Sequence, residues 1–285
     1  MSQTSFFNLL RRALPALVLF ALPASAAPPQ DANKTPPASP TAAAEPVKPA
    51  PKRDEKAETI LQRAVEAMGG SAFLGVRTVT SRGYYTPFED GVATLPNTFI
   101  DYMVFPDRER TEFRGQGIRS IQTYTGDKGW FFDGMARKIL DATPAQTRDF
   151  RIALRTSIDN VLRGWWRTEG AELKYVGRRE AGLAKRNEVV RLTYPDGFSV
   201  EFEFDSKSFL PSKTLYKRTN AEGDEVAEED RYAQFLSISG VNVPFVIDHF
   251  RAGQQSSRVN YQTVDFNLAV PETLFARPTD IKALK

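Results

Sequence analysis

Few side chains in this sequence have the type and spacing for chemistry. Among its 285 residues there is one histidine and no cysteine, which removes disulfides, thiolate metal sites and a cysteine nucleophile. The histidine, His249, has Asp248 beside it and Ser257 a short way along the chain. Acyl-transfer chemistry needs an imidazole held between a hydroxyl and a carboxylate. Successive residues of a strand point to opposite faces, so Asp248 and His249 cannot form a dyad. Ser257 is expected to face His249 across a hairpin, and the sequence shows no third group to orient the ring. Glu201, Glu203 and Asp205 alternate along one strand and could pair as carboxylates or hold calcium. Arg191 is placed to answer Glu201, however, and acidic alternation on a strand usually marks a solvated face. No Gly-Lys phosphate loop, Gly-x-Ser-x-Gly elbow or metal-spaced cluster occurs. The reading is a protein that is not an enzyme and uses no cofactor and no metal.

Charge narrows the partners. The formal balance is +3, from 38 basic and 35 acidic side chains, and Arg11 and Arg12 fall in a segment expected to be removed. Such a balance does not support nucleic-acid binding, which rests on many phosphate contacts. Arg148, Arg151 and Arg155 share one face of an expected helix. They read as a solvated face, or as a contact for acidic head groups or a partner.

The elements that position these residues follow in chain order. Residues 1–26 read as a signal peptide: Arg11-Arg12, an apolar run shorter than the about 20 residues a span needs, and an Ala-Ser-Ala ending. Residues 27–53 are proline- and alanine-rich with little to bury, and read as a disordered linker. Residues 54–285 are expected to form one β domain. It opens with a helix over 54–68, where Ala57, Ile60, Leu61, Ala64, Val65 and Met68 recur at helical spacing and Gly69-Gly70 ends the pattern. Strands are expected over 76–85, 98–105, 108–113, 118–124 and 130–132. Residues 99–105 are apolar on both faces except for Asp101, so that strand is covered on both sides or lines a cavity. Thr143-Pro144-Ala145-Gln146 starts a second helix with a capping box, carrying Phe150, Leu154, Ile158, Val161, Leu162 and Trp165 on one stripe.

Strands then run over 172–178, 188–194, 198–204, 210–217 and 228–238, and a long hairpin over 241–266 closes the domain. A turn at Pro195-Asp196-Gly197 pairs Tyr194 with Phe198, Leu192 with Val200 and Val190 with Phe202 on one face. Arg191 then meets Glu201 on the other. In the final hairpin, a three-residue loop Ala252-Gly253-Gln254 sets Arg251 against Gln255, His249 against Ser257, Ile247 against Val259 and Phe245 against Tyr261. The count is about eleven antiparallel strands and two helices, with the helices on the concave side of the sheet.

Several stretches together resemble the outer-membrane lipoprotein-sorting family, of the LolA and LolB type. They are the amphipathic helix ending in Gly-Gly, then GDKGWFFDG, FDSKSFLPSKTLYK, and the ending ISGVNVPFVIDHF with VNYQTVDFNLAVPETLFARP. The pattern is loose: Gly126, Trp130 and Gly134, then Pro211 and Lys213, then Gly240, Pro244, Phe266, Asn267, Leu274 and Phe275. No lipobox cysteine is present, unlike LolB-type members, so the chain is not expected to be lipidated. The resemblance implies an incompletely closed antiparallel β-barrel with helices plugging its opening and an apolar cavity that takes acyl chains.

It implies a periplasmic monomer that binds lipid or the acyl chains of lipoproteins, meets envelope transport proteins and touches a membrane peripherally. A non-catalytic protein-interaction or sensing module on the same fold is the alternative. The expected cavity wall is Phe99, Met103, Phe105, Trp130, Phe132, Phe198, Phe202, Phe245 and Ile247. Each buried methylene contributes about 0.8 kcal/mol against about 1 kcal/mol for a net hydrogen bond, so an acyl-chain site needs no conspicuous polar motif.

Overall fold

The computed structural model describes residues 54–220 and 223–284. The expected leader and proline-rich segment lie outside the described residues. Helix α1 (Glu55–Met68) begins at Asp54, whose carboxylate accepts from the Ala57 backbone N–H at 3.1 Å, and Glu55 and Glu58 favour its positive end. Its buried stripe is Ala57, Ile60, Leu61, Ala64 and Met68. Gly69 stops it at φ 123°, where an added Cβ would meet the Gly240 carbonyl at 2.2 Å. Only glycine lets this helix end press against the later turn. A short helix α2 (Ser71–Leu74) follows.

The strands are β1 (Thr78–Glu89), β2 (Val92–Ala93), β3 (Asn97–Val104), β4 (Arg108–Gly115), β5 (Ile118–Thr125), β6 (Lys128–Asp133) and β7 (Lys138–Asp141). After helices α3 (Pro144–Thr156) and α4 (Ile158–Arg163) come β8 (Glu172–Glu180), β9 (Arg186–Thr193), β10 (Ser199–Asp205), β11 (Pro211–Thr219), β12 (Glu225–Ile238), β13 (Val241–Arg251) and β14 (Gln254–Phe266). They form one antiparallel sheet of 14 strands in the order β7-β6-β5-β4-β3-β1-β14-β13-β12-β11-β10-β9-β8, with β2 paired to β1. The expected eleven-stranded barrel is thus corrected: β7 and β8 end the order and the sheet does not close. The missed strands β2 and β7 are too short to carry an alternating pattern.

The sheet curves instead. Helix α1 touches β8 at one edge and also β13, five strands away. In a flat sheet those strands would lie roughly 24 Å apart, more than twice the width of a helix, so the sheet bends around α1. On the concave side the core gathers α1 and α4 over Val190, Leu192, Val200, Phe202 and Phe204. A smaller cluster of Ile121, Trp130 and Leu284, joined by Phe132 and Ile139, is separate from it.

The second helix keeps its capping box: Gln146 N–H donates to Thr143 Oγ1 at 3.3 Å and the Gln146 side chain accepts from Thr143 N–H at 2.8 Å. It does not run unbroken to Trp165. Ser157 is extended at ψ 146° and its hydroxyl caps α4 through Asn160 N–H at 3.1 Å, so side-chain bonding replaces the helix ladder there.

The β9–β10 register is as counted, with Arg191 opposite Glu201 and Val190 opposite Phe202. The β13–β14 hairpin also sets His249 against Ser257 and Ile247 against Val259. Its turn differs from expectation: Arg251 pairs with Gln254, and a bulge beyond Phe250 restores the register. Ala252 and Gly253, at φ 49° and 79°, form the tight turn.

Candidate ligand-binding site

Between the concave face and helices α2 to α4 lies a cavity of about 450 Å³, within the range of small-molecule sites. Its apolar wall takes Met68 from α1, Phe73 from α2, Val76 just before β1, Val79 from β1, Val243 and Ile247 from β13, Val264 and Phe266 from β14, and Ile158 from α4. Met103 and Phe105 complete it. Strand pairing makes this wall continuous: Val79 lies opposite Met103 on one side and Phe266 on the other.

Of the nine residues expected to line a cavity, Met103, Phe105 and Ile247 do so. Phe99 faces the same side but is sealed behind Tyr261, whose ring meets it edge-on at 5.7 Å. Gly83 pairs with both residues and leaves room for the rings to meet. Phe245 packs on Tyr261 at 6.3 Å. Phe202 is fully buried in the core with α1, and Phe198 packs between Tyr194 and Tyr216 at 5.9 and 6.3 Å.

Trp130 and Phe132 are on the other face. Met103 pairs with Glu109 and Glu109 with Tyr124, whereas Trp130 pairs with the next residue, Thr123. One step along a strand reverses the face. There Trp130 is covered by the C-terminal segment, donating its indole N–H to the Phe275 carbonyl at 2.9 Å.

The cavity also has a polar side that the sequence reading missed. Ser81, Glu109, Asp159, Arg163, Asp230, Tyr232 and His249 line it. Arg163 donates to Asp159 and to the Phe73 carbonyl, both at 2.8 Å. Burial raises the Asp159 carboxyl pKa, and Arg163 offsets only part of that. The one hint in the sequence was Asp101, an acid alone in an apolar strand. It lies opposite Ser81 on β1 and Thr111 on β4. Thr111 Oγ1 is 2.8 Å from Asp101 Oδ1 and 3.3 Å from Glu109 Oε1, joining the two carboxyls. Burial raises both pKa values, and for Asp101 the nearby Glu109 charge raises it further.

His249 has the orienting carboxylate that the sequence did not reveal: Asp230, on neighbouring β12, lies 2.5 Å from Nδ1. Burial lowers the imidazole pKa, but the Asp230 charge and hydrogen bond outweigh it and the net shift is upward. Ser257 is buried opposite. The acidic alternation on β10 is no solvated face either. Glu203 is buried, held by Arg179 at 2.6 Å and Asn187 at 2.7 Å, and Glu201 pairs with Arg179 and Arg191. Asp205 binds backbone N–H groups of its own turn. Among the described residues no group of acids and histidine could hold a metal ion.

The arginine stripe divides. Arg148 and Arg151 are exposed. Arg155 is pinned by Glu169 at 2.8 Å and Asp196 at 2.6 Å and stacks over Tyr194, because the β9–β10 turn brings Asp196 beneath the helix.

Fold and site define a curved antiparallel sheet that encloses an apolar cavity beneath its helices. No protein-family model and no curated protein sequence matches the chain. Solved structures do. A DUF1329 family protein from Desulfovibrio piger is 12% identical with a TM-score of 0.57, the match covering 80% of this chain and 99% of that one. A LolA superfamily protein from Nitrosomonas europaea is 14% identical with a TM-score of 0.54, covering 77% and 97%. A domain described as an outer membrane lipoprotein-sorting protein from Vibrio parahaemolyticus is 12% identical with a TM-score of 0.53, covering 77% and 97%. The chain therefore has the LolA-like fold, and at these identities the likeness is one of fold.

Proposed function

We propose that this protein is a non-catalytic periplasmic carrier or binder of lipid or lipidated protein, with acyl chains held in the cavity beneath α2 to α4. The observation that carries the reading is the cavity itself: about 450 Å³, walled mainly by Met68, Phe73, Val79, Met103, Phe105, Ile247 and Phe266. Each methylene moved there from water is worth about 0.8 kcal/mol, so one chain supplies the affinity without a polar signature. The LolA-like fold and the export leader read from residues 1–26 support the setting. Exposed Arg148 and Arg151 are the candidate contacts for acidic head groups or an envelope partner.

Native mass spectrometry with lipid extraction, on protein purified from an envelope fraction, tests this. A stoichiometric acyl lipid or lipopeptide is expected, reduced at least tenfold by Phe105→Glu, which places a charge in the wall. Bare protein that also fails to take up a fluorescent fatty acid would overturn the carrier reading and leave a protein-interaction module.

A further inference from the structure

The basic and acidic groups lining the cavity are unequally satisfied. Arg163 and His249 are its two cationic liners, and each is engaged by a carboxylate of its own, Asp159 and Asp230. Arg163 also donates to the Phe73, Leu74 and Val76 carbonyls. Neither therefore offers a free cation to an anionic ligand. Glu109, which lines the cavity, and Asp101, which adjoins it without lining the cavity, differ. They share the Thr111 hydroxyl, and among the described residues no lysine, arginine or histidine pairs with either.

Beside them is Ser81, 1% exposed, whose Oγ has no hydrogen-bond partner among the described residues. It lines the cavity and lies opposite Asp101 in the β1–β3 register. A buried hydroxyl left unbonded costs stability. So does leaving the buried Asp101 carboxylate beside Glu109 with no counter-charge.

We propose that the occupant of this cavity is an amphiphile bearing a protonated amine, its ammonium against Ser81 and Glu109, with the Asp101 charge next to them through Thr111, and its apolar part along Val79, Met103 and Phe266. An ammonium presents three N–H donors and no acceptor, which suits the Ser81 hydroxyl oxygen and the Glu109 carboxylate that line the cavity. A carboxylate or phosphate head would meet Glu109 with no cation to answer it. The sheet creates this triad by register alone: β1, β3 and β4 bring Ser81, Asp101 and Thr111 into one row, and Glu109 stands two residues further along β4. The proposal rests on the cavity being a ligand site.

The test compares three probes with one tail, dodecylammonium, dodecanol and dodecanoate, below their micellar concentrations, by displacement of a fluorescent apolar dye. The amine is expected to bind roughly 10- to 100-fold tighter than the alcohol, the gain of charge-assisted hydrogen bonds, and the carboxylate weakest. Bulk charge would favour the carboxylate, since the chain is formally +3. In Glu109→Gln and Asp101→Asn the amine-to-alcohol affinity ratio is expected to fall at least fivefold. Ser81→Ala, a smaller change, should lower the same ratio about threefold and serves if an amide variant does not fold. Equal binding of amine and alcohol by the unaltered protein, tighter binding of the carboxylate, or a ratio indifferent to the substitutions would overturn the amine proposal and leave the carrier reading standing. Binding of none of the three would remove both.

Discussion

At the scale of single residues, His249 shows how a neighbour on another strand sets a side chain's chemistry. Asp230 raises its pKa against the opposing effect of burial, and Asp248 and Glu228 add to the shift. Because the folded value lies above the unfolded value of about 6.5, the stability contributed by the pair is fully present below that pH. It is lost as pH rises through the folded pKa. His249 is the sole histidine, so its proton resonances titrate without overlap. In Asp230→Asn the NMR midpoint is expected to fall and this pH dependence of stability to shrink. An unmoved midpoint would refute the pairing. The sequence placed Ser257 opposite His249 because both belong to one hairpin. Asp230 was not legible: β12 and β13 pair over a long register in which nothing in the sequence singles out position 230.

At the scale of elements, the joint between α1 and the β12–β13 turn depends on a glycine. Gly69 has φ 123° and would set a Cβ 2.2 Å from the Gly240 carbonyl, whereas Gly91, at φ 79°, has no atom within 4 Å of an added Cβ. Gly69→Ala is expected to cost about 2–4 kcal/mol, from backbone strain and clash together. Gly91→Ala should cost only about 1 kcal/mol, the conformational part alone. Urea unfolding of the two variants separates these contributions, and equal losses would contradict the close approach. The Gly-Gly stop was plain in the sequence because a helix C-terminus is local. What the glycine presses against was not.

At the scale of the whole molecule, the C-terminal segment straps the face opposite the cavity. Phe275 and Leu284 are buried. The Phe275 carbonyl accepts from Trp130, the Leu274 carbonyl accepts from Arg110 at 2.9 Å, and Arg119 reaches the Leu284 carbonyl. Removing the residues that follow Asn267 is expected to cost roughly 3–6 kcal/mol, the burial of two large side chains. Amide hydrogen exchange should then quicken in β5 and β6 while β9 and β10, beneath α1, keep their protection. Uniform acceleration across the sheet would show that the strap supports the entire fold.

Periodicity, turn residues and caps act over a few neighbours, which is why the chain by itself determined the first helix, the Thr143 capping box, most strands and the β9–β10 register. Those signals are local, and so they leave open which face of a curved sheet becomes a wall and which becomes packed core. Trp130 and Phe132 belong to the strap side because of one step in register, Phe202 to the core cluster that includes the α1 stripe, and only Met103, Phe105 and Ile247 of the expected set to the cavity. The pairing of Asp101 with Glu109 through Thr111, and the empty hydrogen-bonding position at Ser81, arose from strands brought side by side. Tertiary structure alone decided them, because a carboxylate's charge state and a hydroxyl's need for a partner depend on atoms far away in the chain.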